Sequence, residues 1–323
     1  MSVSGRWLVT GKELSMKKLI TMTGLGICLC AGAHAEMSSE AFLKIGAGAK
    51  ASALGNAYTA AAEGPDAVYW NPAGIAGTDK TVVTLTHTML YNEASHDFAA
   101  FSAKAPGGNI GAAITWLSYG DLNGRDINGL ASGGFSAGDM ALSLAYALNL
   151  GADLKAGLAG KYLHSKIGGD TGDGFAVDAG VKWSAPINGL KAGLAMQNLG
   201  PEFRFSGDKK PLPIAWAAGF EYSGLERFRF SLDGKVRPED GDDELCFGAG
   251  YQAAKALTLR AGYNGKAAKA GKQSGATGLK ALDNLRGISA GFGASFGGFE
   301  VDYSFTPYGE LGNAQRITLS AEF

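Results

Sequence analysis

The feature that most constrains the fold is a strict alternation of apolar side chains with polar or small ones, which recurs from residue 80 to the end of the chain. In one such run, Phe175, Val177 and Val181 share one face while Asp178 and Lys182 lie on the other. A period of two predicts β-strands whose two faces meet different surroundings. The pattern predicts fourteen strands, near 81–90, 97–105, 109–119, 139–148, 153–166, 174–184, 190–199, 213–223, 227–236, 245–252, 256–264, 287–296, 299–306 and 315–323.

The number, length and spacing of these segments favour a closed barrel in a membrane. Most segments are close to the ~9–11 residues that a tilted strand needs to cross a bilayer. Short connections alternate with longer ones, as in single-chain outer-membrane barrels. The longer connections are predicted at 120–138, 167–173, 200–212, 237–244, 265–286 and 307–314. We therefore predict an all-β, 14-stranded antiparallel transmembrane β-barrel.

A water-soluble β-sandwich would also separate an apolar face from a charged one. The even strand count, an export signal described below and the apolar terminal residue Phe323 favour the membrane barrel. Only 18% of the residues are charged, below the ~25% of ordinary soluble domains. Outer-membrane lipid is then the expected surrounding, and the strand ending at Phe323 is expected to engage the barrel-assembly machinery.

The face opposite the apolar one carries both charge signs and is predicted to line the lumen. Its candidate lumen-facing residues are Asp178, Lys182, Glu221, Arg229, Asp233, Arg260, Glu300, Asp302 and Arg316. The chain also has 50 glycines, and many of them fall on this same face. Glycine in a strand often marks a site where another backbone approaches closely. We expect such glycines, Gly291 and Gly293 among them, to face material inside the barrel.

The N-terminus has the three parts of a secretory signal peptide. Met16-Lys17-Lys18 precedes an apolar run from Leu19 to Gly32, which is followed by Ala33-His34-Ala35. A basic start, a short apolar centre and small residues at the cleavage site are typical of export. We expect Met16 to be the true start and cleavage to follow Ala35, which indicates the outer membrane of a Gram-negative-type envelope.

Residues 36–79 lack the alternation and are rich in glycine and alanine. Residues 53–63 are predicted to form a helix that ends at Gly64-Pro65, and Pro72 is predicted to begin another after a turn at Asn71. A 14-stranded barrel encloses more space than its own side chains fill. We therefore predict a signal peptide over 1–35, an N-terminal plug over 36–79 and the barrel over 80–323.

Both ends of the mature chain resemble a known family. Residues 42–60 and 66–74, with their Asp-Ala-Val-Tyr-Trp-Asn-Pro-Ala-Gly run, are similar to the opening of PorV/PorQ-type proteins, within the wider FadL/TodX-like group, and residues 303–320 are similar to their ending. The resemblance implies a 14-stranded outer-membrane barrel with an N-terminal plug. The candidate plug residues are Gly46, Gly48, Gly55, Asp66, Trp70, Asn71, Pro72 and Ala73. Asn56 departs from the family, which often has a second glycine there.

Motifs for catalysis, metals and cofactors are missing from the sequence. His87, His96 and His164 have no partner at metal-ligand spacing, and no nucleophile elbow occurs. The acidic run 239–244 lacks the spacing of a calcium loop, so a solvated loop is favoured over calcium binding. The net charge of −1 argues against nucleic acid. We predict no enzyme, no cofactor and no metal.

Three functions stay open. The resemblance to the FadL-like group implies a plugged channel or transporter for small hydrophobic molecules, although the mixed charges of the lumen face offer no clear apolar tunnel. The PorV-like members imply an accessory of type IX-like protein secretion, with exported proteins bound at 120–138 and 265–286. A structural porin-like protein with no dedicated substrate is the third.

Overall fold

The computed structural model describes residues 38–91, 93–125, 128–265, 287–307 and 313–323. The predicted signal peptide and most of the predicted connections 265–286 and 307–314 lie outside these residues.

Strands dominate the described chain. The strands are β1 (Val82–Met89), β2 (Ser95–Ala105), β3 (Gly108–Arg125), β4 (Ala131–Gly151), β5 (Leu154–Ile167), β6 (Asp170–Ser184), β7 (Leu190–Leu199), β8 (Phe203–Phe205), β9 (Asp208–Lys210), β10 (Ala215–Leu225), β11 (Phe228–Arg237), β12 (Asp242–Ala254), β13 (Leu257–Asn264), β14 (Ile288–Phe296), β15 (Phe299–Pro307) and β16 (Asn313–Glu322). Each barrel strand pairs antiparallel with its neighbours, and β1 closes the ring by pairing with β16, Val82 opposite Glu322. Within the described residues the ring has 14 strands, β1–β7 and β10–β16, so the predicted closed barrel is confirmed.

The structure differs from the predicted connections in four places. Residues 237–244 were predicted as a long connection, but β11 and β12 pair as far as Arg237 opposite Asp242, so only residues 238–241 lie between them. Residues 120–138 were predicted as a loop, but β3 and β4 continue through most of this region and pair from Asp121 opposite Ser136 to Arg125 opposite Ala131. Residues 167–173 were predicted as a long connection, but β5 and β6 are joined by a two-residue turn, Gly168-Gly169. The connection 200–212 contains the hairpin β8–β9, which pairs with β6.

The two ends of the barrel differ in their connections. At one end, called the terminal end, the chain finishes at Phe323 and the turns are tight, as at residues 106–107, 226–227 and 297–298. The opposite end, called the loop end, carries the longer connections, including 200–214 and 265–287. Outward-facing leucines such as Leu158 are exposed, whereas the residues between them are mostly buried.

Residues 38–79, called the N-terminal segment, contain only short helices. They are the α-helices α1 (Ala49–Ala53) and α2 (Ala67–Trp70) and the 3-10 helices Ala41–Lys44, Gly64–Asp66 and Pro72–Ile75. The predicted helix over 53–63 is wrong, because Gly55 and Asn56 both adopt left-handed backbone conformations with φ of 65° and 66°. The predicted helical turn at Pro72 is present, and the Asn71 side chain caps it by accepting a hydrogen bond from Ala73 N at 3.2 Å. None of the helices in the described part of the chain is long and apolar enough to cross a membrane.

The main apolar core lies between the N-terminal segment and the inward faces of β2–β5. Tyr69, Trp70 and Ile75 pack there against Phe98 of β2 and against small alanines of the neighbouring strands. Tyr69 and Trp70 meet edge to face, with ring centroids 5.1 Å apart. Small side chains on the barrel wall leave room for the large aromatic rings of the segment.

Candidate functional site

Polar side chains on the inward faces of the strands bind the backbone of the N-terminal segment. The Asp233 carboxylate on β11 accepts hydrogen bonds from Tyr58 N at 2.9 Å and Thr59 N at 2.7 Å. Five strands away around the ring, Thr318 Oγ1 of β16 accepts from Ala49 N at 2.9 Å. Gln197 of β7 donates to Tyr69 O at 2.7 Å. Contacts from several directions therefore hold the segment against the wall.

Glycines on the inward faces allow this close packing. Gly157, Gly180, Gly193, Gly219, Gly248, Gly262 and Gly291 each face a residue of the N-terminal segment. A Cβ on Gly157 would lie 2.5 Å from the carbonyl carbon of Pro72, which is closer than real Cβ contacts. Gly293 was expected to behave alike, but the atoms nearest to a Cβ there belong to Asp302 and Arg260 of the neighbouring strands.

The candidate plug residues lie in one part of the N-terminal segment, where hydrogen bonds join several of them to their neighbours. Trp70 Nε1 donates to Ala47 O at 2.9 Å, and the Asn71 side-chain amide donates to Thr59 O at 2.9 Å. Gly46, Gly48 and Gly55 have φ of 86°, 83° and 65°, a region that side chains with a Cβ rarely adopt. Pro72 and Ala73 are buried beside Asn71. The group folds the segment back on itself within the barrel.

Asp66 is a buried carboxyl within this group. A Cβ on Gly48 would lie 2.8 Å from Asp66 Oδ2, and Oδ1 is buried with no hydrogen-bond partner among the described residues. Burial raises the pKa of Asp66 to about 7, with Asp302 and Glu300 adding to the rise and Lys50 opposing it. Asp66 is therefore partly protonated near neutral pH.

All nine candidate lumen-facing residues lie on the inward row of their strands. Asp178, Lys182, Glu221, Asp233, Asp302 and Arg316 are buried, Arg260 and Glu300 are partly buried, and Arg229 is exposed at the terminal end. Several belong to ion pairs: Lys161 with Asp178 at 2.6 Å, Lys191 with Glu221 at 3.3 Å, Arg260 with Asp302 at 2.5 Å and Lys50 with Glu300 at 2.9 Å. The lumen charges are thus largely compensated locally.

A cavity lies at the loop end, between the N-terminal segment and the barrel wall. It has a volume of about 520 Å³ and is called the loop-end cavity. Its lining includes the apolar and aromatic residues Phe42, Ile45, Leu90, Tyr91, Leu117 and Tyr119, the polar residues Ser52, Asn56, Ser289 and Thr306, and the charged residues Lys44 and Glu244. Ligand sites in proteins typically measure about 300–1,000 Å³ and are mostly apolar with a few polar groups. The loop-end cavity has the size and lining of such a site.

An apolar cluster supports one wall of this cavity. Phe42 and Leu43 of the N-terminal segment pack with Leu117 and Leu163, which point inward from β3 and β5, and with Leu212 before β10. The list of candidate lumen-facing residues did not include this apolar cluster at the loop end. The signal was present in the sequence, since Leu117 and Leu163 fall on the polar face of their strands.

The histidines and the acidic run serve local contacts. His87 and His164 face outward and lie opposite Asp97 and Asp173, with Nδ1 to Oδ1 distances of 2.5 and 2.9 Å. In the acidic run, Asp240 binds Lys44 of the N-terminal segment at 3.1 Å. No group of three or more metal-binding side chains occurs in the part of the chain that the structure covers.

No family model and no curated protein matches the sequence. Solved structures do match the fold. The toluene transporter TodX of Pseudomonas putida has a TM-score of 0.55 at 13% identity, over 86% of this chain and 97% of that one. The toluene transporter TbuX of Ralstonia pickettii gives 0.54 at 14% identity, over 86% and 97%.

This chain has the FadL-like barrel fold. A FadL homologue of Pseudomonas aeruginosa also matches, with a TM-score of 0.54 at 9% identity over 90% of this chain and 99% of that one. At these identities the likeness concerns the fold, which agrees with the FadL/TodX-like part of the resemblance drawn from the sequence.

Proposed function

We propose that this protein is a bacterial outer-membrane barrel that takes up a small hydrophobic molecule through the loop-end cavity. The main support for the proposal is the loop-end cavity, which has a volume of about 520 Å³ and has Phe42, Ile45 and Leu117 on its walls. Burial of apolar surface is the expected driving force for binding there. The names of the similar structures, toluene transporters and a FadL homologue, support the same class of molecule.

In this proposal the N-terminal segment is a plug that closes the path from the loop-end cavity to the terminal end. Its hydrogen bonds to Asp233, Thr318 and Gln197 and its close contacts with inward-facing glycines support that role. Passage of a molecule then requires part of the plug to move. The protein acts by binding and passage, without catalysis.

The remaining parts of the proposal come from the sequence. Residues 1–35 act as a signal peptide, residues 80–323 span the outer membrane as strands, and the strand ending at Phe323 guides assembly of the barrel. Within the FadL-like fold, the resemblance of residues 42–60 and 66–74 supports a place in the PorV/PorQ branch.

Equilibrium binding of radiolabelled toluene to the protein in lipid nanodiscs tests the proposal, with empty nanodiscs as the blank. Leu117→Ala changes a cavity wall, whereas Ile75→Ala removes a buried apolar side chain of the other core cluster, which does not line the cavity. We expect the first variant to bind toluene about tenfold more weakly, since a lost apolar contact is worth ~1–3 kcal/mol. The second should bind like the parent protein; no saturable binding, or equal loss in both variants, overturns the proposal.

A second function, the binding of exported proteins, is supported by one observation. The β3–β4 hairpin extends past the pair Ser118–Gly138 to Arg125–Ala131, and Phe135 on it is exposed. Replacing 122–134 with a short turn should abolish capture of exported proteins while toluene binding persists, and removing 203–210 is the control. Unchanged capture without 122–134 contradicts this second function.

A further inference from the structure

Four buried polar side chains form one row across the inner wall of the barrel. Ser304 of β15 lies opposite Arg316 of β16, Arg316 opposite Thr88 of β1, and Thr88 opposite His96 of β2. Their exposed fractions are between 0% and 1%. Side chains directly opposite each other on one face of a sheet are close enough to interact.

The polar atoms of this row lack partners. Thr88 Oγ1, both ring nitrogens of His96, Ser304 Oγ and Arg316 Nε are buried without a hydrogen bond to any described residue. Buried polar groups in native proteins nearly always have a partner, from the protein or from solvent. Five such atoms in one row indicate that something outside the chain belongs there.

Arg316 is also a buried cation that has no counter-ion among the described residues. Its Nη2 donates to Ile45 O at 2.9 Å, and no described carboxylate lies within ion-pair distance of it. By contrast, the buried guanidinium groups of Arg237 and Arg260 pair with Glu244 and Asp302. An uncompensated charge in a protein interior is strongly unfavourable.

The chemistry of the row selects an anion. A guanidinium and two hydroxyls all donate hydrogen bonds, and a neutral imidazole donates one. The next inward residues toward the loop end, Leu90, Thr306 and Ala314, line the loop-end cavity, so the row lies one layer beneath that cavity. Because its side chains are inaccessible to solvent, a long or bulky ligand is excluded, which leaves a small inorganic ion as the class of ligand.

We propose that Ser304, Arg316, Thr88 and His96 bind one small monovalent inorganic anion of the halide type, which neutralises Arg316 beneath the loop-end cavity. The site is separate from toluene binding and does not depend on it. It gives the buried polar row a structural role in holding β15, β16, β1 and β2 together with Ile45 of the N-terminal segment.

Crystals of the full chain grown in sodium bromide give the direct test. We expect an anomalous bromide peak within hydrogen-bond distance of Arg316 Nε and of at least one of the hydroxyls of Thr88 and Ser304. Ordered water at that position, with no anomalous signal, overturns the proposal.

Thermal unfolding in detergent provides the second test, at constant ionic strength with chloride replaced stepwise by gluconate. Binding to the folded state alone makes the unfolding midpoint rise with chloride concentration. Arg316→Gln should remove this rise, whereas the double variant Arg237→Gln, Glu244→Gln, which removes another buried lumenal ion pair, should keep it. An equal chloride response in Arg316→Gln and the parent protein overturns the proposal.

If Arg316→Gln does not fold, Thr88→Val tests the anion site instead. Valine has nearly the shape of threonine but cannot donate a hydrogen bond to the anion. We expect the chloride concentration that gives half of the rise in the unfolding midpoint to increase by about tenfold, since hydrogen bonds to charged groups are worth ~1.5–3 kcal/mol. If Thr88→Val reaches half of the effect at the same chloride concentration as the parent protein, the assignment of the site is contradicted.

Discussion

Gly55 of the N-terminal segment lies directly against Gly262 of β13, so closely that a Cβ on Gly262 would overlap the Gly55 backbone nitrogen. Gly55 in turn donates from its nitrogen to Ser289 Oγ on β14 at 3.1 Å. The segment and the barrel wall therefore touch backbone to backbone at this point. The contact explains why two positions distant in sequence both lack a side chain.

Gly262→Ala tests this contact. We expect the free energy of unfolding to fall by about 1–3 kcal/mol, since an added methyl in a packed site forces backbone shifts. Gly250→Ala is the matched control, because its Cβ would meet only Arg229 Cβ at 3.8 Å. Heat-modified mobility on gels gives the unfolding temperature of each variant. Equal unfolding midpoints for Gly262→Ala and Gly250→Ala would show that the segment does not pack against Gly262.

The Asp233 carboxylate should be required for the position of residues 58 and 59. Asp233→Ala leaves the Tyr58 and Thr59 N–H groups without an acceptor, which costs about 1–3 kcal/mol for each buried group. Asp233→Asn retains a side-chain oxygen and should lose less stability. Protease cleavage of the N-terminal segment in the folded barrel should rise in the alanine variant, and identical cleavage of both variants would count against this anchoring.

Asp66 should make stability depend on pH. Its pKa is raised from 3.8 to about 7, so the folded protein holds a proton that the unfolded chain has lost over this interval. Stability contributed by the protonated carboxyl is then full below about pH 4 and is lost as the pH rises to about 7.

Asp66→Asn removes this loss. The variant should gain stability over the parent protein as the pH rises from about 4 to about 7, by an amount on the order of a few kcal/mol. Unfolding midpoints of both proteins at several pH values measure the difference. A difference that does not change with pH would mean that Asp66 is already ionised in the folded state.

The barrel was predictable because its signal is local and repeated. Each strand shows its two faces in the alternation of its own residues, as Leu142 and Leu144 alternate with the inward Ser143 on β4. The extension of β3 and β4 over 120–138 was not predicted because the apolar-polar alternation ends before this region. The two strands are joined there by backbone pairing.

Tertiary contacts decided the parts that the sequence did not predict. The alanine-rich residues 53–63 favour a helix locally, but the left-handed Gly55 and Asn56 and the bonds to Asp233 impose an irregular path. The loop-end cavity combines residues from both ends of the chain, such as Phe42 and Ala314. No local pattern places these residues beside one another.

Soaking crystals of the full chain with bromobenzene tests most directly whether the loop-end cavity binds a small hydrophobic molecule. The control is an Ala94→Trp variant, in which an indole ring fills the loop-end cavity. Ala94 lines the loop-end cavity together with Phe42, Ile45 and Leu117. We expect an anomalous bromine peak among these residues in the parent protein and none in the variant. Bromine only in the outward-facing groove beside Ile114 and Trp116, or an unchanged peak in Ala94→Trp, would contradict this expectation.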